Sequence, residues 1–111
     1  MAIHKKESFT QKEQDLANFA KALSHPARIA ILKVLAQKNE CICGELVDVL
    51  PLAQSTVSQH LKELKNAELI NGTIDGPRSC YCINWKAFEK FNVDFNSLFL
   101  KLKIQNEKSC C

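Results

Sequence analysis

Apolar residues recur with helical spacing from Thr10 onward: Leu16, Phe19, Ala20 and Leu23 fall at i, i+3, i+4 and i+7. Pro26 interrupts this run, and Ser24 is a candidate cap for a helix that begins there. Residues 27–37 are apolar on most faces, through Ile29, Ile31, Leu32, Val34 and Leu35, and predict a buried central helix. A loop at Lys38-Asn39-Glu40 leads to a short helix over about 43–50, ended by Pro51. After the tight connection Pro51-Leu52-Ala53, residues 54–66 again show helical spacing. Val57, Leu61 and Leu64 form the inward face, and Ser55, Thr56, Ser58, Gln59, Lys62 and Lys65 the outward one. Two short helices joined this tightly predict a helix-turn-helix.

Beyond Ala67 the pattern shifts to strands, one over 69–74 and one over 79–84. Between them, Asp75-Gly76-Pro77-Arg78 has the composition of a turn, so the pair reads as a β-hairpin, or wing. A last helix starts near Trp85 and bears one apolar stripe of Phe88, Phe91, Phe95, Leu98, Phe99 and Leu102. The fold class is therefore mainly α with a β-hairpin: a winged helix-turn-helix whose terminal helices form a dimer interface. Its expected divisions are a flexible N-terminal segment (1–9), a DNA-binding and dimerisation domain (10–102) and a flexible cysteine-bearing tail (103–111). The stripe is too apolar to stand in water. Core packing accounts for part of it, and pairing with Leu16, Phe19 and Leu23 of a second subunit for the rest.

Composition narrows the class. One domain is expected from 111 residues, and 46% hydrophobic content supports a packed core. A net charge of +3 permits a nucleic-acid partner without requiring one. No long uncharged apolar run exists, so no membrane association is expected. No apolar segment follows the polar start, which points to the cytoplasm and to reduced thiols. The six cysteines are then ligands, sensors or inert core groups rather than a disulfide framework. No nucleophile-base constellation is present, so an enzyme is not expected.

Three stretches carry a resemblance. Ala22-Leu23-Ser24-His25-Pro26-Ala27-Arg28-Ile29-Ala30-Ile31-Leu32, then Gln54-Ser55-Thr56-Val57-Ser58-Gln59-His60-Leu61, then Gly76, Arg78 and Tyr81 of the wing resemble the ArsR/SmtB family of metal-sensing bacterial repressors. The resemblance implies a homodimer that leaves its operator on binding an inducer. Cys41-Ile42-Cys43, followed by Gly44-Glu45-Leu46, is similar to the Cys-x-Cys box of the arsenic- and cadmium/lead-responsive members. One departure is Leu46, where one type of arsenic repressor has a third cysteine; another is Ala53, where many relatives have a capping Ser.

Thiolates are soft ligands suited to thiophilic centres. Trivalent arsenic is satisfied by three sulfurs, so Cys41 and Cys43 need a third, for which the tail pair Cys110 and Cys111 is the obvious donor. On a regular helix, residues two apart point about 200° from each other. Both cysteines reach one centre only if Cys41 precedes the helix or its first turn distorts. No cofactor is required; the expected inducer is As(III) or a related thiophilic ion. Cys80 and Cys82 alternate with Tyr81 and Ile83, which face the core, so the cysteines face outward as structural or incidental groups or as a second thiol site. The last helix has no His and only Glu89 and Asp94 as carboxylates, which disfavours the family's other metal site.

Gln54, Ser55, Thr56, Ser58, Gln59 and His60 are candidates for double-stranded DNA in the major groove, and Lys62 and Arg78 for its backbone. A two-fold dimer implies a palindromic operator. Rival readings are a cadmium- or lead-responsive repressor, a thiol redox or persulfide sensor in which distant cysteines meet, and a module folded around structural zinc.

Overall fold

A computed structural model describes residues 8–38, 42–43, 50–73 and 80–106. Among them are four helices and three short strands. Helix α1 (Gln11–Ala22) begins with a capping box. The Thr10 hydroxyl accepts from the Glu13 amide at 3.1 Å, and the Thr10 amide donates to the Glu13 carboxylate at 2.9 Å. Two otherwise orphaned donors are satisfied this way, so the helix starts where its apolar spacing does.

Helix α2 (Pro26–Lys38) is capped by His25, not by Ser24 as the sequence suggested. The His25 carbonyl accepts from the Arg28 and Ile29 amides, at 3.0 and 3.3 Å, and its Nδ1 accepts from the Ala27 amide at 3.1 Å. Ser24 instead closes α1, its hydroxyl donating to the Lys21 carbonyl. As expected, α2 is central: Ile31 is fully buried, with Ala27, Leu32 and Leu35 nearly so, although Ile29 is exposed.

Strand β1 (Ile42–Cys43) was not foreseen. Its second residue, Cys43, stands where a helix was expected to begin. A two-residue strand has no period to read, and only its pairing partner, remote in sequence, makes it a strand. Residues 44–49 of that expected helix lie outside the described residues. At its far end, the turn before helix α3 (Gln54–Asn66) is tight, with the Leu52 amide donating to the Leu50 carbonyl at 2.8 Å.

Strands β2 (Ile70–Thr73) and β3 (Cys80–Ile83) form the expected antiparallel hairpin, and β1 adds to the other side of β3. The register pairs Ile42 with Tyr81 and Cys43 with Cys80 on one side of β3. On the other side it pairs Gly72 with Tyr81 and Asn71 with Cys82. Gly72 has φ +143°, and a Cβ there would run into the Cys80 carbonyl, so this pairing requires glycine. The turn at 75–78 lies outside the described residues.

Helix α4 (Trp85–Asn106) is capped by Asn84, whose carbonyl accepts from the Ala87 and Phe88 amides. It runs past residue 102, so 103–106, expected in the tail, are helical; no Gly or Pro stands there to stop it. Phe19 of α1 stacks on Phe91 at 4.0 Å and meets Phe88 edge-on at 5.0 Å. Phe19 is thus buried inside its own chain, and not left for a second subunit as the sequence suggested. The α1–α4 contact is tied further by Lys90, which reaches Asp94 at 2.9 Å and Asp15 at 3.2 Å, while Lys12 lies 3.8 Å from Asp94. Hydrogen bonds to Asp94 and Asp15 raise the Lys90 pKa, and hydrogen bonds from Gln11 and Lys90 lower that of Asp15. One core unites these elements, with Ile31, Val57, Leu64, Leu69 and Ile70 its most buried large side chains.

Candidate nucleic-acid interface and thiol site

Helix α3 divides as its sequence predicts. Val57, Leu61 and Leu64 are buried, and Gln54, Ser55, Thr56, Ser58, Gln59 and Lys62 are exposed. The exposed set is a row of short hydroxyl and amide groups with one cation, able to donate to and accept from base edges and phosphates. Gln59 is tied along the helix, its Nε2 donating to Glu63 at 3.1 Å. Ala53 stands at the N-cap in extended conformation (φ −67°, ψ 149°) with no side-chain hydrogen bond, as its lack of a hydroxyl dictates. No acidic residue occupies the first turn, so the positive end of the helix dipole is left uncompensated there.

His60 departs from its expected place in the base-reading set. It is 8% exposed, turned to the interior, and its Nδ1 accepts from Arg28 Nε at 3.2 Å. Its ring lies 4.3 Å from that of His25, and Arg28 also donates to the Ala22 carbonyl at 3.2 Å. Burial, then the charges of His25 and Arg28, lower its pKa from the usual 6.5, against a smaller opposing effect of Glu63. His25, Arg28 and His60 therefore lock the start of α2 to the recognition helix. Sequence reasoning missed this cluster. Its only signal was a polar residue at 60 between the core positions Val57 and Leu61, a spacing that also fits an exposed face.

The thiol site is described in part. Cys43 belongs to a strand and not to a helix's first turn, so the geometric objection to residues two apart on a helix does not apply to it. Its partner in the ladder is Cys80. Against the expectation of reduced thiols throughout, Cys80 is disulfide-bonded, while Cys82 is not. Tyr81 is buried between them as expected, and both cysteines are partly buried. Cys41, Cys110, Cys111 and Arg78 lie outside the described residues. No group of three or more His, Cys, Asp or Glu side chains close enough to hold a metal ion occurs among the described residues. Asp94 on α4 is engaged by lysines. No described helix is long and apolar enough to cross a membrane.

Comparison with known proteins gives a single answer. Residues 25–72 match the family described as bacterial regulatory protein, arsR family. The chain is 32% identical over 98 residues to the arsenical resistance operon repressor of Staphylococcus aureus, covering 88% of this chain and 89% of that protein. It is 35% identical over 74 residues to an HTH-type transcriptional regulator of Methanocaldococcus jannaschii, covering 66% and 82%. An ArsR-like transcriptional regulator from Rhodococcus has the same fold, with TM-score 0.75 and 19% identity over 88% of this chain and 92% of that one. With a winged fold, an exposed polar face on α3 and these relatives, the chain belongs to the arsR family of bacterial regulatory proteins and is a transcriptional repressor of the ArsR/SmtB type, not an enzyme.

Proposed function

We propose that the chain is a homodimer that holds a palindromic operator and releases it when trivalent arsenic is bound by the thiolates of Cys41 and Cys43 and a third sulfur of the chain. The observation that carries this reading is the position of Cys43. It stands on a strand paired to the wing and ahead of the recognition helix, so a ligand there pulls on both DNA-facing elements. Arsenic resistance in the Staphylococcus aureus relative supports the choice of ligand. Gln54, Ser55, Thr56, Ser58 and Gln59 would read the major groove, with Lys62 and Arg78 on the backbone.

Dimerisation would fall to the distal half of α4. Phe95, Leu98, Phe99, Leu102 and Ile104 are all exposed there, a concentration of apolar surface that marks an interaction site. The test of the inducer is an anaerobic near-ultraviolet titration of reduced protein with arsenite, cadmium and zinc, beside Cys41→Ser and Cys43→Ser. A saturable sulfur-to-arsenic band lost in either variant is expected. Tight cadmium or zinc binding with no arsenite band would make the inducer a divalent metal.

A redox reading has one observation in its favour, the disulfide at Cys80. It requires that an oxidant alone, with no metal, link the thiols and abolish operator binding. Retention of the operator after oxidation of all accessible thiols would remove it.

A further inference from the structure

Arg28 joins three helices through one guanidinium. It stands on α2, its Nη1 donates to the Ala22 carbonyl at 3.2 Å, and its Nε donates to His60 Nδ1 on α3, also at 3.2 Å. The Ala22 carbonyl lies in the last turn of α1, where no further helix amide is available to bond it. Because Nδ1 of His60 accepts, it carries the lone pair, and the ring proton of the neutral imidazole sits on Nε2. His25 is held in the same form, since its Nδ1 accepts from the Ala27 amide at 3.1 Å. The two rings lie 4.3 Å apart, His25 exposed and His60 buried. On α3, His60 follows exposed Gln59 directly and falls one turn after exposed Thr56, so a tilt of the helix at His60 displaces both.

We infer that Arg28 and neutral His60 are positioning residues for DNA recognition, which together hold α3 at the angle where Thr56 and Gln59 meet the bases. The inference rests on the reading of α3 as the recognition helix, and it acts independently of the thiols. Arginine is required for it. A lysine ammonium is a point charge and lacks the planar fork that bonds two acceptors on different helices at once. A proton added to His60 lands on Nδ1, the nitrogen that Arg28 occupies. The acceptor is then lost, two cations face each other 3.2 Å apart, and the guanidinium must leave. Burial opposes that proton most, followed by the charges of His25, from the segment before α2, and of Arg28; Glu63, on α3 itself, favours it. These are the charged and titratable groups that act on the ring among the described residues. The neutral form that binds DNA is therefore kept at neutral pH and given up only as acid protonates His60.

The test uses the reduced full-length chain, Arg28→Lys, His60→Leu and His60→Asn. Each is titrated against two labelled duplexes, one selected by the parent chain from a random pool and one of scrambled sequence, between about pH 5 and 8. At the upper pH, Arg28→Lys and His60→Leu should bind the selected duplex roughly tenfold more weakly, about the worth of one good base contact. Both should bind the scrambled duplex as the parent does, since neither changes the charge that phosphates meet. That binding also shows that the variants are folded, and a merely structural role would not separate the two duplexes. His60→Asn places an oxygen where Nδ1 stands and does not titrate, so it should keep the parent's selectivity. In acid the parent should lose its preference for the selected duplex, and His60→Asn should retain it. Parent-like selectivity in Arg28→Lys or His60→Leu would overturn the inference while leaving the recognition-helix reading intact. Should those two variants fail to fold, His60→Asn decides alone: a pH profile of selectivity equal to the parent's would overturn it. Failure of the parent chain to enrich any duplex would overturn both.

Discussion

Ala53 occupies the N-cap of the recognition helix in the extended conformation a capping serine adopts, but brings no oxygen to the waiting amides. Ala53→Ser should stabilise the fold by about 0.5–1 kcal/mol. Thermal unfolding would report it as a rise in midpoint of roughly 3–5 °C; an unchanged midpoint would mean that another group already satisfies those amides. The other end of the helix has its own misfit. The Glu68 amide donates to the Lys65 carbonyl and the Leu69 amide to Leu64, a Schellman closure that requires the left-handed conformation at Glu68 (φ 65°). Glycine adopts this without Cβ strain, so Glu68→Gly should add about 0.5–1 kcal/mol in denaturant unfolding. Destabilisation instead would show that the Glu68 side chain does more than its exposed position suggests. His60 gives a pH dependence. Its pKa in the folded chain is lowered, so the unfolded chain binds the extra proton more readily. Stability from this group is full above about pH 6.5 and is lost as pH falls from there through the lowered folded value. Protonation at Nδ1 also removes the acceptor for Arg28. His60→Gln should flatten this part of the stability–pH curve; an equal slope in both proteins would place the acid sensitivity elsewhere.

Elements with a strong period were legible in the chain, and those that depend on distant partners were not. Helices α1, α2 and α3 follow from apolar spacing, and the hairpin from two alternating runs around a Gly-Pro turn. Tyr81 between two cysteines was readable as a core position for the same reason. Strand β1 was not, because only pairing with Cys80 and Tyr81 makes it a strand. Its neighbours Gly44-Glu45-Leu46 suit a helix, which drew the expected boundary too far toward the N-terminus. The same limit hid the opposition of Cys43 and Cys80, two residues distant in sequence that only register brings together. His60 was misjudged because polar residues on an amphipathic helix are read as exposed, and a buried one is recognisable only with its partners Arg28 and His25 in place. The end of α4 was set too early because polarity, which marks exposure, was taken to mark the end of the helix.

Among the described residues, the C-terminal part of α4 carries the densest run of apolar side chains that the chain's own core does not cover. The chain's radius of gyration is 17.1 Å, above the ~13 Å expected of a compact domain of this length. A 22-residue helix spans about 33 Å, and apart from Trp85 the large exposed apolar residues of α4 run from Val93 to Ile104, toward its C-terminal end. If that end joins two copies, Phe99→Glu should yield monomers in sedimentation and weaken binding to a palindromic duplex by roughly 100-fold, since two half-sites are then no longer held together. A stable dimer in that variant would place the interface elsewhere. On the reading proposed above, thiolate capture of arsenic at the strand beside the wing releases DNA, and this release is open to direct measurement. It is tested most directly by fluorescence anisotropy of a labelled palindromic duplex, selected for binding from a random pool, as arsenite is added to the reduced protein and to Cys43→Ser. Arsenite should release the duplex from the parent chain at stoichiometric concentration, while Cys43→Ser should bind the duplex equally well and keep it. Release from both proteins, or from neither, would contradict that reading.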